Sequence, residues 1–310
     1  MTATMSLSSR YFDRLGLDPA SLDREPTLGK LQTLQQTHLA TIPFENTAQH
    51  GVGSPASLDL SVTADKILTN KRGGFCLEVN LLFAAFLREL NYDVILFPAI
   101  VYAGPDAAFS NTASHVVLRV TCHDGLHYIA DVGFGEPPIH PLSYHTESFG
   151  QILLTPEGMQ SKMERQTKDD SIVLFWYKQG AWIPRLQWNY TQSITKDDRM
   201  DHFAQALQKV QEPSSIFSQK LITCLLTIDR KVTLAGNLLK VTEPRFPKDT
   251  ADKDGNVTSA IDVAILVEKL SSVHEVRTAL QTHFGIPLAA TQGLDLSKSL
   301  AADPEIWSHQ

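Results

Sequence analysis

Residues 72–80 carry the run Arg72-Gly-Gly-Phe-Cys76-Leu-Glu-Val-Asn80, and the almost wholly apolar segment 81–90 follows it directly. Two adjacent glycines permit a tight turn and a close approach of the backbone to another group. The apolar segment predicts a buried helix over residues 76–90, with Cys76 in its first turn. There the thiol meets the positive end of the helix dipole and unpaired backbone N–H groups, which both favour the thiolate. The run therefore predicts a nucleophilic cysteine at the start of a central helix.

Two further residues support this prediction, because a lone cysteine is most often a buried structural residue. His115 begins a strand whose apolar residues alternate from 116 to 120, so the imidazole faces away from them. Asp131 lies in an apolar strand, where a carboxylate is costly to bury unless it is paired. The structural alternatives are a satisfied core histidine and an aspartate that caps the following Gly-Phe-Gly turn. The order Cys, His, Asp favours a triad in which Asp131 orients the imidazole that accepts the thiol proton.

The hairpin between these two strands restricts how His115 and Asp131 can meet. A two-residue turn at Asp124-Gly125 pairs Asp131 with Leu118 and places it on the face away from His115. A loop with an odd number of residues, or a bulge, brings both side chains to the same face. We therefore predict a three-residue loop with Gly125 in the left-handed conformation.

Three neighbouring features have more than one interpretation. Arg72 is either a solvated charge or the partner of Glu45 or Glu78, and we expect the ion pair to fix the turn. Residues 42–46 predict a compact loop that packs or lines a pocket. Residues 212–217 begin a helix or strand with two hydroxyls, which either hold a phosphate or only cap the backbone.

Composition restricts the class of protein. The hydrophobic fraction is 43% and the charged fraction 20%, as in soluble globular proteins, and 310 residues correspond to about two domains of ordinary size. A net charge of −7 argues against a nucleic-acid partner. The three cysteines make neither a disulfide framework nor a metal spacing, so Cys122 and Cys224 are expected to be structural. With no apolar signal segment and no run long enough to span a bilayer, we expect a cytoplasmic protein without membrane contact.

Periodicity divides the chain into three predicted domains, over residues 1–92, 93–205 and 206–310. Apolar residues recur at helical spacing in the first and at a spacing of two in the second, which predicts an antiparallel sheet or small barrel. The third combines strands with a final helix, Val273–Phe284. The other predicted helices are 8–15, 27–40, 62–68 and 76–90. The predicted strands are 94–102, 115–121, 126–132, 172–177, 225–230, 231–235 and 238–241.

Together these motifs resemble the arylamine N-acetyltransferases. The motifs concerned are the Cys76 run, Ile-Pro-Phe-Glu-Asn at 42–46, the strand that begins at His115, Asp-Val-Gly-Phe-Gly at 131–135 and Pro-Ser-Ser-Ile-Phe at 213–217. The resemblance implies an α+β fold with papain-like cysteine-enzyme architecture. Its parts would be an N-terminal helical bundle, a central antiparallel β-barrel and a C-terminal α/β lid.

The resemblance also implies a reaction, the transfer of an acetyl group from acetyl-coenzyme A (acetyl-CoA) to the nitrogen of an arylamine or arylhydrazine. Cys76 would be the nucleophile, His115 the base and Asp131 its orienting partner, with no metal and no tightly bound cofactor. Detoxification of such amines is the family's usual association. The implied substrate-binding residues are Phe44, Ser114 and Phe134. The implied acyl-CoA-binding residues are Thr112, Gly133, Ser214 and Ser215.

Three alternatives use the same residues. A relative that prefers malonyl-CoA would transfer a malonyl group instead of an acetyl group. A cysteine hydrolase or transglutaminase-like amidase would use the triad to release acid or ammonia and would ignore CoA. A binding protein on an inactive papain-like scaffold would have a thiol of ordinary reactivity, whereas both enzymes predict fast alkylation of Cys76.

Overall fold

The computed structural model describes residues 5–104, 109, 112–154, 160–178, 180–193, 203–245 and 261–299. Within the described chain, α-helices dominate the part before residue 93 and strands dominate the part after it. The described α-helices are α1 (Leu7–Leu15), α2 (Leu28–Thr41), α3 (Leu60–Ala64), α4 (Cys76–Glu89), α5 (Ala204–Gln211), α6 (Ile216–Gln219) and α7 (Val273–Phe284). The described strands are β1 (Phe44–Glu45), β2 (Asp93–Val101), β3 (His115–Thr121), β4 (His127–Ala130), β5 (Leu142–Ser143), β6 (Leu153–Leu154), β7 (Gln160–Gln166), β8 (Ser171–Lys178), β9 (Ala181–Asn189), β10 (Ile222–Leu226), β11 (Lys231–Ala235), β12 (Leu238–Arg245) and β13 (Ile261–Lys269).

The helices form where capping and apolar spacing predict them. The side chain of Ser6 caps α1 at the backbone N–H of Ser9, and the side chain of Thr27 caps α2 at the N–H of Lys30. Helix α4 is buried on nearly all sides, and its aromatic residues pack against α1 in a core shared with β2 and β3. Within the described chain, no helix combines the length and the apolar character that crossing a membrane requires.

The strands form two antiparallel sheets. The larger one has eight described strands in the order β5-β4-β3-β2-β9-β8-β7-β6, and the smaller has five in the order β1-β10-β11-β12-β13. Ile129 on β4, Met163 on β7 and Trp176 on β8 share one buried cluster although their strands are far apart in the sheet, so the larger sheet curls. It forms a half-barrel, because its edge strands β5 and β6 do not pair within the described residues. The predicted α+β class is confirmed.

Strand β3 lies between two cores. Val116, Leu118 and Val120 pack with the helices, whereas Val117 packs inside the curled sheet. His115 alternates with Val116 and therefore shares the side of Val117. This confirms the predicted direction of the His115 side chain.

Two local predictions were wrong. The strand predicted over 225–230 ends at Leu226, because residues 227–230 close a turn in which the Thr227 N–H donates to the Arg230 carbonyl oxygen at 2.9 Å. Residues 42–46, predicted as a compact loop, contain β1, which pairs with β10. The domain boundaries after residues 92 and 205 stay predictions, and residues 300–310 of the predicted third domain lie outside the described chain.

Candidate active site

Cys76 is the first residue of α4, and the glycine turn before it packs tightly against the segment that precedes β1. A side chain at position 73 would place its Cβ 1.9 Å from the carbonyl oxygen of Pro43. The Gly74 carbonyl accepts a hydrogen bond from the Glu45 N–H at 3.0 Å, and the Gly74 N–H donates to the Pro43 carbonyl at 3.3 Å. Glycine is therefore required at position 73 because the two chain segments lie side by side, and this packing holds the start of α4 in place.

An ion-pair cluster behind the turn fixes it further. The Arg72 Nη2 lies 3.0 Å from Oε1 of Glu45 and donates to the Thr47 hydroxyl at 2.6 Å, so the predicted pair with Glu45 is confirmed. Glu78, the other candidate partner, pairs with Lys66 at 2.7 Å. Burial alone would raise the pKa of Glu45, but the charges of Arg72 and Lys66 and the hydrogen bonds from Thr47 lower it to about 2. The cluster thus keeps a fully buried carboxylate charged.

The loop between β3 and β4 has three residues, as predicted. The Cys122 N–H donates to the Leu126 carbonyl at 2.9 Å, which leaves residues 123–125 as the loop. Gly125 has φ +81°, the left-handed conformation that this loop type needs. In the resulting register Leu118 pairs with Ala130. Asp131, one residue further on, therefore shares the face of His115.

His115 and Asp131 form a buried pair beside Cys76. The His115 Nε2 lies 2.7 Å from Oδ2 of Asp131, and their side chains are 1% and 5% exposed. Burial would lower the pKa of His115, but the charge of Asp131 and hydrogen bonds to Asp131 and Cys76 outweigh it and raise the pKa to about 10. Because Nε2 is engaged by Asp131, Nδ1 is the nitrogen left to interact with the thiol. The imidazole of His115 thus interacts with both Asp131 and Cys76.

Asn80 joins this group, although the sequence analysis assigns it no role. Its Nδ2 donates to Oδ1 of Asp131 at 2.9 Å and to the Val116 carbonyl at 2.8 Å, and its Oδ1 accepts from the Val132 N–H at 2.8 Å. Asn80 lies four residues after Cys76, which places both on one face of α4. That spacing inside the Cys76 run was the signal available in the sequence. Asn80 thereby connects the nucleophile's helix to both strands that carry the pair.

Gly133 completes the contact between the end of β4 and the start of α4. Its N–H donates to Oδ1 of Asp131 at 2.8 Å. A Cβ at this position would come within 2.8 Å of the Cys76 Cα and 2.9 Å of the Asn80 Nδ2. The chain passes so close to Cys76 that only glycine fits. Its predicted contact with acyl-CoA stays a prediction.

Two of the three residues predicted to bind substrate lie directly at the pair. The Ser114 carbonyl oxygen is 3.5 Å from Sγ of Cys76, and the Phe134 ring meets the His115 ring edge-on at a centroid distance of 5.3 Å. Phe44, on β1, packs against Phe217 at a centroid distance of 6.1 Å. Their contacts with a substrate stay predictions.

Besides Gly133, the residues predicted to bind acyl-CoA lie in two other segments, before β3 and at the start of α6. The Thr112 hydroxyl accepts a hydrogen bond from Nζ of Lys209 at 3.1 Å. Ser214 is exposed, and Ser215 caps α6 by accepting from the Phe217 N–H at 3.3 Å. Capping, one of the two roles predicted for these hydroxyls, is thus present at Ser215. Their role toward CoA stays a prediction.

Replacing Asn80 by Ala is expected to lower the free energy of unfolding by about 2–3 kcal/mol, because it leaves the buried Val132 N–H and Val116 carbonyl without their partners. Acetyl transfer should fall by about tenfold as Asp131 loses one of its donors. Urea denaturation and initial rates measure the two effects. The control is Asn189→Ala, where the lost bonds to the Thr191 and Gln192 N–H groups lie in an exposed turn and water replaces them. Equal losses in both variants would contradict the role of Asn80.

Known proteins are similar to this chain in sequence and in fold. A family model described as N-acetyltransferase matches residues 27–292. An arylamine N-acetyltransferase of Gallus gallus, the pineal gland isozyme NAT-3, is 30% identical over 302 residues, which cover 90% of this chain and 93% of the relative. The solved arylamine N-acetyltransferase of M. tuberculosis matches with a TM-score of 0.72 at 29% identity, covering 91% of this chain and 94% of that one. The Mycobacterium marinum enzyme, solved in complex with CoA, matches with a TM-score of 0.72 at 25% identity over 91% and 94% of the chains.

These matches agree with the local observations. The family model covers both the cysteine turn and the strands that carry His115 and Asp131. The matched structures extend over the helices, the curled sheet and the final sheet, so the papain-like architecture expected from the motifs is confirmed. The chain is therefore an acetyltransferase that belongs to the arylamine N-acetyltransferase family.

Proposed function

We propose that this acetyltransferase works by a ping-pong mechanism through an acyl enzyme on Cys76. The observation that carries the proposal is the buried His115–Asp131 pair, whose raised imidazole pKa keeps a positive charge beside a cysteine at a helix N-terminus. That charge and the helix dipole both favour the thiolate as the resting nucleophile. The donor is acetyl-CoA, in keeping with the relative solved in complex with CoA.

In the first half-reaction the Cys76 thiolate attacks the thioester carbonyl and forms a tetrahedral oxyanion. The Cys76 backbone N–H, at the start of α4, stabilises that negative charge. The carbon–sulfur bond to CoA then breaks, and the imidazolium of His115 gives its proton to the leaving CoA thiolate. Asp131 holds the ring so that Nδ1 faces the reacting atoms.

In the second half-reaction the nitrogen of an arylamine or arylhydrazine attacks the acyl-Cys76 carbonyl. Such weakly basic nitrogens are neutral at pH 7, so they keep the lone pair that the reaction needs. His115 removes the proton from the attacking nitrogen, and the Cys76 thiolate leaves. The imidazole of His115 loses a proton in the first half-reaction and regains one in the second, so the complete cycle returns the enzyme to its resting thiolate and imidazolium.

The mechanism is tested by intact-protein mass after brief incubation with acetyl-CoA, and separately with malonyl-CoA, without an acceptor. We expect the protein to gain one acyl group, which p-anisidine discharges and which Cys76→Ala lacks. The donor that gives the faster adduct identifies the preferred acyl group. No adduct from either donor, with Cys76 still alkylating fast, would overturn the transferase mechanism and favour a cysteine hydrolase.

A further inference from the structure

Arg185 is the extra residue of a β-bulge in β9. The register changes from Leu174 opposite Leu186 to Phe175 opposite Pro184, so Arg185 has no residue across from it on β8. A bulge turns the side chain of its extra residue in a new direction, and bulges are frequent beside active sites.

The bulge brings the Arg185 guanidinium onto the aromatic residues next to the catalytic pair. The guanidinium carbon lies 4.3 Å from the Trp176 ring centroid and 5.1 Å from that of Phe134. Phe134 is the ring that meets His115 edge-on at 5.3 Å. One aromatic ring therefore separates Arg185 from the imidazole.

The charge of Arg185 has no carboxylate partner within the described residues. Its Nε is buried there without a hydrogen-bond partner. The acid whose charge reaches it is Glu136, and that carboxylate is already bound to Lys178 at 2.7 Å and to Lys231. Three cations thus surround one carboxylate. The Arg185 side chain is half-buried with its Nε out of contact with water, and a guanidinium held there without a paired carboxylate is the arrangement expected of a site that an anion completes.

Stacking on aromatic rings does not by itself account for this arrangement. Arg165, on β7, also stacks on a ring, with its guanidinium carbon 4.0 Å from the Tyr190 centroid. That arginine is paired with Asp170 at 2.6 Å on the surface. Arg185 has the same stacking without the acid.

We propose that Arg185 binds a carboxylate of the substrate and makes the enzyme prefer anionic over neutral substrates of the same shape. The inference rests on the proposed acyl transfer at Cys76, because the other end of the same substrate is taken to react at the Cys76 thiol. The carboxylate comes either from the aromatic acceptor or from the far end of a dicarboxylic acyl group. A guanidinium binds either one through the same charge-assisted hydrogen bonds.

The acceptor is tested with 4-aminobenzoate and 4-aminobenzamide, which share a shape and differ in charge, using acetyl-CoA as the donor. If the acceptor carries the carboxylate, Arg185→Gln lowers the ratio of the two kcat/KM values by about tenfold to a hundredfold. Arg185→Lys keeps the charge but loses the planar fork, so its ratio should lie between those of wild type and Arg185→Gln.

The donor is tested by the rate at which Cys76 gains mass from malonyl-CoA and from acetoacetyl-CoA, without an acceptor. If the acyl group carries the carboxylate, the ratio of these two rates falls by the same factor in Arg185→Gln. The control is Arg165→Gln, which removes a stacked arginine that is exposed and paired with Asp170, and it should leave both ratios at the wild-type values. Equal losses for anionic and neutral substrates in both experiments would show a purely structural role and overturn the proposal.

A binding measurement separates this inference from the mechanism on which it rests. Calorimetric titration of the full chain with 4-aminobenzoate and 4-aminobenzamide needs no acyl transfer. Tighter binding of the anion that Arg185→Gln abolishes supports an anion site even if no acyl group forms on Cys76. If titration, kinetics and acylation all show no preference for the anionic substrate, the inference about Arg185 is overturned. The proposed mechanism still holds in that case if Cys76 is acylated.

Discussion

Replacing Asp131 by Asn is expected to lower kcat/KM for arylamine acetylation by about 10³- to 10⁴-fold. The surroundings of the carboxylate determine how the new amide is oriented. Oδ1 of Asp131 accepts from the Asn80 Nδ2 and from the Gly133 N–H, so the amide oxygen of the variant takes this position. The amide NH₂ then faces Nε2 of His115. It can only donate, which forces the ring proton onto Nδ1 and removes the base from the thiol.

The same variant should slow alkylation of Cys76, which does not depend on a substrate. Asp131 is the main cause that raises the pKa of His115 to about 10, against the lowering effect of burial. Without that charge the ring is neutral at pH 7, and the thiolate loses its partner. Intact mass after iodoacetamide treatment reports Cys76, because burial raises the thiol pKa of Cys122 to about 11 and of Cys224 to about 12.

The control for this prediction is Asp124→Asn in the exposed hairpin loop, where the carboxylate accepts a hydrogen bond from the Leu126 N–H at 3.0 Å. It should keep wild-type rates of acetylation and alkylation. A variant at Asp131 that retains a tenth of the wild-type activity would contradict the orienting role.

Replacing Arg72 by Met is expected to lower the free energy of unfolding by about 3–5 kcal/mol, because it leaves a buried charge without its main partner. Glu45 is 0% exposed, and its nearest remaining cation, Lys66, lies 4.0 Å away. Urea denaturation, with the slope compared between variants, measures the change. The control is Arg10→Met, which breaks a pair with Asp65 of 2.6 Å whose side chains are 27% and 69% exposed. An exposed pair contributes about 0–1 kcal/mol, so similar losses in both variants would contradict the prediction.

The contribution of Glu45 to the pH dependence of stability should have opposite signs in the wild type and in Arg72→Met. In the wild type the pKa of Glu45 falls from 4.5 to about 2 on folding, so its contribution is complete above pH 4.5 and is lost as pH falls toward 2. In Arg72→Met the largest lowering cause is lost while burial still raises the pKa, so we expect the folded pKa of Glu45 to rise above the unfolded value despite Lys66 and the Thr47 hydrogen bonds. Protonation then favours the folded state, and lowering the pH should recover part of the lost stability. Denaturation curves at several pH values between 3 and 7 measure how the free energy of unfolding changes with pH. The change in Arg72→Met is compared with that in the Arg10→Met control.

The sequence by itself determined the elements whose signals are local. Helix α4 begins at Cys76 as predicted, because the glycine turn and the apolar segment both act within a few residues. Strand β3 and helix α7 have the predicted bounds, because alternation and helical spacing are properties of neighbouring residues. The three-residue loop at Gly125 followed from the alternation of side chains along a strand. His115 and Asp131 must share a face to meet, and only a loop with an odd number of residues, or a bulge, allows this.

The tertiary structure alone decided contacts between segments that are distant in sequence. Strand β1 pairs with β10, and the bulge at Arg185 depends on the register against β8, neither of which a local pattern encodes. Asn80 is an ordinary helical residue until β3 and β4 bring their backbone groups to it. Strand β9 carries Pro184 and polar residues that blur alternation, so only its neighbours in the sheet define it. Such features depend on which backbone groups and charges become buried when the chain packs. Each buried polar group then needs a hydrogen-bond partner, and that partner often lies far away in the sequence.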